Sequence, residues 1–290
     1  MDPLSDLRNI HNTRFARTGS NMVIIYDHLI TFGDEIELIW KGKWSPVTIL
    51  FVLNRYYLLA LVLFNSYVLY NNGVTDELCT RYYQWEGWTE LAVCMLSQGI
   101  LQIRTYALYL LNKKVLAILL AMYSAALFSS AYILVQCLKL IKVTATPIPG
   151  GTFCVPTSRV QGFYAFWIPL FIFDCFLCAL TIYRSFCEFK TSGSIVRRSR
   201  NILAVLLRDS VFYLVTIAVV YLISVIFWDR EPLSLADAPT GFAPAISGIL
   251  ANRVVLNVRS TFKETSSVSL VELQETTAAP GINSTASSNV

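Results

Sequence analysis

Five stretches of the chain stay predominantly apolar for about 20 residues or more, at approximately 46 to 70, 88 to 111, 115 to 138, 161 to 183 and 203 to 228. Each is long enough for a helix to cross the hydrocarbon core of a bilayer. Isolated polar residues sit among Leu, Ile, Val, Phe and Tyr, and Trp44, Trp85, Trp88 and Trp228 near the ends fit an interfacial aromatic belt. Two weaker stretches flank the five. Residues 21 to 40 hold the run MVIIYDHLITF, broken by Asp27 and His28, and residues 241 to 258 are rich in Gly and Ala. The pattern predicts an all-α integral membrane bundle of five to seven spans. Ala121, Ala125 and Ser129 recur at four-residue spacing, which marks either a face for close helix approach or the ordinary abundance of small residues in spans. Pro169, in the middle of the stretch 161 to 183, predicts a kink.

Basic residues set the sidedness. With the N-terminus outside and both weak stretches spanning, inner loops and tail hold 11 Lys and Arg against 8 outside. If the first stretch lies on the inner surface instead, the contrast becomes 14 against 5, which favours six spans. Both arrangements place the basic loop 184 to 200 inside. Residues 1 to 20 carry Arg8, Arg14 and Arg17 and lack an uninterrupted apolar core, so the first span is expected to direct insertion itself. From Glu264 to Val290 there are 10 Ser or Thr and few large hydrophobes, so the tail, residues 259 to 290, is expected to be disordered and inside. The sequon Asn283-Ser284-Thr285 lies in it and should stay unglycosylated.

Composition agrees with lipid as solvent: 55% of the 290 residues are hydrophobic and 14% charged, where a soluble domain carries about a quarter charged. The net charge of +4 comes with no basic tract interleaved with aromatics, so nucleic acid is not an expected partner. Two histidines, His11 and His28, exclude a histidine-rich metal site. Neither a metal nor a cofactor is expected. Of seven cysteines, Cys79 and Cys154 fall in different outer loops and are candidates for a disulfide, while the other five lie in spans or at an inner end. Cys175 and Cys178 form a C-x-x-C pattern with no second ligand pair and read as packing, and Cys187 is a weak palmitoylation candidate.

Candidate chemistry concentrates in residues 26 to 56, YDHLITFGDEIELIWKGKWSPVTILFVLNRY, which read as a membrane hairpin. Asp27 and Arg55 fall at comparable depth within its two arms, where a charge costs at least a few kcal/mol. They are expected to pair, either as a lock on the hairpin or as a polar ligand or ion site with His28 and Asn54. Asp174 has no basic residue within one turn; it reads as a neutral acid bonded to a neighbouring helix, or as a proton-relay or ligand group. Arg104, nearer an inner end, either snorkels to the phosphate region or contacts Glu35 or Glu37. No P-loop, nucleophile elbow, H-E-x-x-H or dinucleotide fingerprint occurs, and no Lys lies deep in a span, so enzymatic activity is not expected.

Tyr26-Asp27, Thr31-Phe32, Glu35, the Trp40/Lys43/Trp44 group and Asn54-Arg55-Tyr56, all within residues 22 to 62, resemble the N-terminal signature of a large fungal family, abundant in basidiomycetes, of multi-span membrane proteins carrying a domain of unknown function. RTYALY at 104 to 109 and NRVVLNVR at 252 to 259 are similar to its third and last helices. The resemblance implies that residues 21 to 40 span and that the total is seven. It implies no activity.

The expected organisation is an N-terminal segment (1–20), a seven-helix membrane domain (21–258) and the tail. The bilayer, of the plasma membrane or another secretory-pathway membrane, is its solvent. Three functions are carried forward: a receptor-like signalling protein with a small-molecule ligand and a cytoplasmic partner at loop 184–200 and the tail; a small-solute or proton transporter using Asp27, Arg55 and Asp174; and a purely structural bundle. Likeness to G-protein-coupled receptors is analogy only, since Arg104-Thr105-Tyr106 lacks a preceding acid and no N-P-x-x-Y occurs.

Overall fold

The structure is a computed structural model that describes the backbone of residues 3–71, 73–148, 151–158, 160, 162–191 and 197–278, and side chains over 5–71, 73–147, 151–158, 160, 162–187 and 208–263. It is almost wholly helical. In chain order come α1 (Pro3–Glu35) continuing into a π-helical turn (Ile36–Trp40), α2 (Pro46–Tyr70), α3 (Asp76–Leu108), α4 (Lys113–Leu140), strands β1 (Val143–Ile148) and β2 (Gly151–Pro156), a 3-10 turn (Phe163–Phe166), α5 (Trp167–Thr191), α6 (Arg197–Arg230), α7 (Leu233–Ala236) and α8 (Phe242–Ala278).

Five segments are long and apolar enough to cross a membrane: Pro46–Tyr70, Asp76–Leu108, Lys113–Leu140, Phe163–Cys187 and Arg208–Arg230. They coincide with the five stretches read from the hydrophobic pattern, and are consistent with a multi-pass membrane protein. α1 and α8 fall short of that standard because Asp27, His28 and Asp34 dilute one and Asn252, Arg253 and Arg259 the other.

Local chemistry sets the helix starts. Ser45 and Thr48 form a capping box ahead of Pro46, which has no N–H to waste at the first turn. Thr75 accepts from Leu78 N, with Asp76 and Glu77 placed to favour the N-terminal dipole of α3. Asn112 caps α4 through Lys114 N. α8 packs closely on its neighbours because its contact positions are small. Ala243, Ala245 and Ala251 are fully buried, and a Cβ placed on Gly248 would stand 2.5 Å from Leu58 Cδ1.

The all-α reading holds, with one small addition: β1 and β2 form an antiparallel hairpin in which Ala145 faces Cys154, and Asp76 Oδ1 fastens it to α3 by accepting from Ala145 N at 2.6 Å. Several other expectations change. Residues 3 to 20 are not a separate segment, since α1 is one 33-residue helix with Pro at its N-terminal end and none inside. Pro169 lies in the first turn of α5, where no intrahelical donor is lost, so the mid-span kink has no cause. Ala121, Ala125 and Ser129 face outward; Leu119, Ala126, Ser130 and Leu134 make the buried face of α4. Trp228 is 4% exposed, its ring tilted 38° against Phe163 with centroids 4.4 Å apart, so it packs inward rather than standing in an exposed belt. α8 also runs through residues 259–278, read from composition as disordered. Ser and Thr cost a helix only about 0.5 kcal/mol each relative to Ala, and no Gly or Pro intervenes before Pro280. Asn283, the rest of the tail and most of loop 184–200 lie outside the described side chains.

Candidate functional site

The hairpin made by α1, the π-helical turn and α2 carries the expected charges, but pairs them differently. Arg55 Nε donates to Glu35 Oε2 at 2.6 Å, and its Nη2 donates to His28 O at 3.1 Å. Glu35 Oε1 accepts from Trp40 Nε1 and Tyr56 OH, both at 2.9 Å. Asp27 is instead held by Arg253 of α8, whose Nε donates to Oδ1 at 2.6 Å. Helical Cα–Cβ bonds tilt toward the helix N-terminus. In antiparallel neighbours, Glu35 therefore leans along α1 toward the level of Arg55, and Arg55 leans back to meet it. Asp27 leans in the same direction as Glu35, which carries it away from Arg55. Depth counting alone cannot see that tilt.

The remaining members of the expected site also separate. Asn54 Nδ2 donates to Gly248 O and Asn252 Oδ1, both at 3.0 Å, binding α2 to α8. The His28 ring packs edge-on to Tyr56. Glu37 meets Lys263 at the surface, so neither Glu35 nor Glu37 engages Arg104. Arg104 does not snorkel either: it lines an internal cavity with Asp174, Thr105, Thr181, Ser210 and Tyr213, between α3, α5 and α6. Cys79 and Cys154 form the expected disulfide. Among the described residues no group of three His, Cys, Asp or Glu could hold a metal ion.

A second polar cluster lies near the disulfide end. Arg17 of α1 grips both Glu86 oxygens, Asp237 Oδ2 and Tyr82 OH. Tyr83 OH donates to the same Asp237 oxygen at 2.6 Å, and Thr240 Oγ1 donates to Oδ1 at 2.8 Å. One side chain thus ties α1 to α3 and to the α7–α8 turn. The guanidinium and Asp237 have side chains only 6% and 5% exposed, which makes the cluster a structural keystone as well as a candidate recognition site.

The cluster continues along α3. Tyr82, Glu86, Glu90, Cys94 and Gln98 repeat every fourth residue and fall on one inward stripe, buried except at the partly exposed Glu86. Glu90 Oε1 accepts from Trp167 Nε1 at 2.9 Å, Tyr221 OH donates to Cys94 Sγ at 3.8 Å, and Gln98 Nε2 donates to Leu170 O at 3.0 Å. Beyond Gln98 the stripe reaches Asp174, both of whose oxygens are buried and unpartnered. The bundle interior is therefore polar from the disulfide end to the Asp174 cavity. Two cavities along it, one at Asp174 and one beside Glu86 and Glu90, each leave about 20 Å³ for the centre of a water molecule, enough for about one or two waters.

No curated protein matches the chain. A domain of the family of unknown function DUF6533 occupies residues 17–60. It contains Arg17, Asp27, Glu35 and Arg55, and only the last two find their ionic partners within it; Arg17 and Asp27 reach out to Glu86, Asp237 and Arg253.

Proposed function

We propose that the chain is a seven-helix, receptor-like signalling protein, with α1 and α8 as its first and last spans and its N-terminus outside. The observation that carries this reading is the Arg17 cluster beneath the disulfide-bound hairpin. α1, α3 and the α7–α8 turn converge there on one guanidinium, so a small-molecule ligand competing for Glu86 or Asp237 would bias all three together. A loop and tail at the opposite end, over residues 184–200 and beyond 259, are where a cytoplasmic partner would read that change.

The test is sidedness followed by flux. Tags at residues 1 and 290 probed by protease in sealed vesicles should lie on opposite sides, and both on one side would sink the seven-span reading. In proteoliposomes under an imposed pH gradient, the receptor reading expects no protein-dependent proton movement. A flux abolished by Asp174→Asn would overturn it in favour of a proton transporter.

A further inference from the structure

The cavity beside the Arg17 cluster is walled by acids. Glu86 and Glu90 line it from α3 and Asp237 from the α7–α8 turn, while Tyr83, Phe163 and Trp228 supply aromatic walls. Among the described residues no Lys, Arg or His lines it. The charged groups that act on Glu90 are Glu86, Asp237 and Arg17, and those that act on Glu86 are Arg17 and Asp237. Three carboxylates therefore share one described guanidinium, and Arg17 engages only Glu86 and Asp237. Glu90, 5% exposed, accepts from Trp167 Nε1 at 2.9 Å and forms no ion pair among the described residues. Even with a proton on Glu90, two carboxylates face one guanidinium, and a negative charge is left over.

Trp228 marks the same cavity from α6. It is 4% exposed and its indole N–H has no hydrogen-bond partner. An indole offers a donor only, and burying that donor unmet is costly. Whatever enters this space must therefore bring positive charge for the acids and an acceptor oxygen for the indole. A metal ion does not fit, because no group of three His, Cys, Asp or Glu among the described residues comes close enough to hold one. An ammonium group does fit. Its N–H donors radiate toward separate acceptors, and aromatic ring faces attract it.

We propose that this cavity binds a small primary ammonium compound, its nitrogen among Glu86, Glu90 and Asp237 and one water set between it and the Trp228 N–H. The space of about 20 Å³ for a water-sized centre takes the nitrogen and that water. It limits the carbon skeleton inside the cavity to about a methyl group and excludes a quaternary ammonium. The inference rests on the receptor reading and names its ligand class. A second cation beside Glu86 and Asp237 competes with Arg17 for both, which loosens α1 while α3 and the α7–α8 turn stay joined through the ligand.

The test uses the purified full chain in mild detergent, unfolded thermally and followed by tryptophan fluorescence in equimolar methylammonium, tetramethylammonium or sodium chloride. Methylammonium should raise Tm saturably above the other two; at about tenfold above half-saturation the folded-to-unfolded ratio rises about elevenfold, a shift of about 2–3 °C for a chain of this size. Glu90→Gln keeps an acceptor for Trp167 and should raise the half-saturating methylammonium concentration about tenfold, the worth of one hydrogen bond to a charge. Trp228→Phe keeps the aromatic wall and should raise it severalfold. Equal wild-type Tm in methylammonium and sodium would overturn the proposal, as would an unshifted half-saturation point in Glu90→Gln. If Glu90→Gln does not fold, Trp228→Phe decides: a half-saturation point identical to wild type overturns the site. Adding phosphatidylethanolamine to the micelles separates the two sources of such a group, since competition that raises the methylammonium half-saturation point assigns it to a lipid head and an unchanged point to a free amine. Sidedness keeps the two readings apart: no methylammonium response with the terminal tags on opposite sides sinks this ligand alone, whereas both tags on one side sinks the seven-span receptor and leaves a measured response standing.

Discussion

Breaking the Glu35–Arg55 pair should expose how the α1–α2 hairpin is held. The two side chains are 0% and 2% exposed and meet at 2.6 Å, so neither can relax into solvent. With charge centres about 4 Å apart, an effective dielectric near 20 gives about 4 kcal/mol of attraction. Removing one partner strands the other, at a cost of about 3–5 kcal/mol. The two single variants should differ. In Glu35→Met, Arg55 keeps only the His28 carbonyl, whereas in Arg55→Met, Glu35 keeps donors from Trp40 and Tyr56. Glu35→Met should therefore be the worse of the two, by about 1–2 kcal/mol, the worth of hydrogen bonds to a charge. The double variant leaves no unpaired charge and should recover much of the loss. A double-mutant cycle of SDS-induced unfolding in mixed micelles measures all four corners. Additive single losses, or either loss under about 1 kcal/mol, would refute the buried-pair account.

Three further outcomes follow from the packing. Arg17→Met should lower Tm strongly, because Glu86 and Asp237 lose their shared cation, while Arg81→Ala, whose partner Glu77 is 75% exposed, should change stability by less than about 0.5 kcal/mol; equal shifts would place Arg17 at the surface. Gly248→Ala puts a Cβ 2.5 Å from Leu58 Cδ1 and should cost about 1–3 kcal/mol by overpacking, with Leu58→Ala relieving that increment in a double variant. Reducing Cys79–Cys154, 75 residues apart, should destabilise by at most about 4.5 kcal/mol from loop entropy, and mass spectrometry finding both thiols alkylated without reduction would count against the bond.

How much could be read in advance depended on whether the signal was local. The five apolar spans follow from composition over about 20 residues, and the disulfide followed from two cysteines standing in loops while five others sat in apolar surroundings. The hairpin at 143–156 also left a local trace, Val143-Thr144-Ala145-Thr146 before Gly150-Gly151, a β-favouring run before a turn dipeptide, but it is short beside the long helices. The ionic contacts were different in kind. Arg17 looked like one of three basic residues in a polar leader, and its partners Glu86 and Asp237 lie 69 and 220 residues away, so nothing near it in sequence could identify it as buried. Asp27 and Arg55 were correctly placed within the bundle and wrongly paired, because their depths matched while their Cα–Cβ directions diverged. The four-residue repeat of Glu86, Glu90, Cys94 and Gln98 was legible all along. A span whose polar residues share one face must turn that face inward, since lipid cannot satisfy them, and counting that face would have located the polar core before any coordinates. The stripe also explains why α3 meets α5, α6 and α8: a helix with a polar face along most of its length needs polar partners on its neighbours, and Trp167 and Leu170 of α5, Tyr221 of α6 and Ser247 of α8 are the groups that supply them.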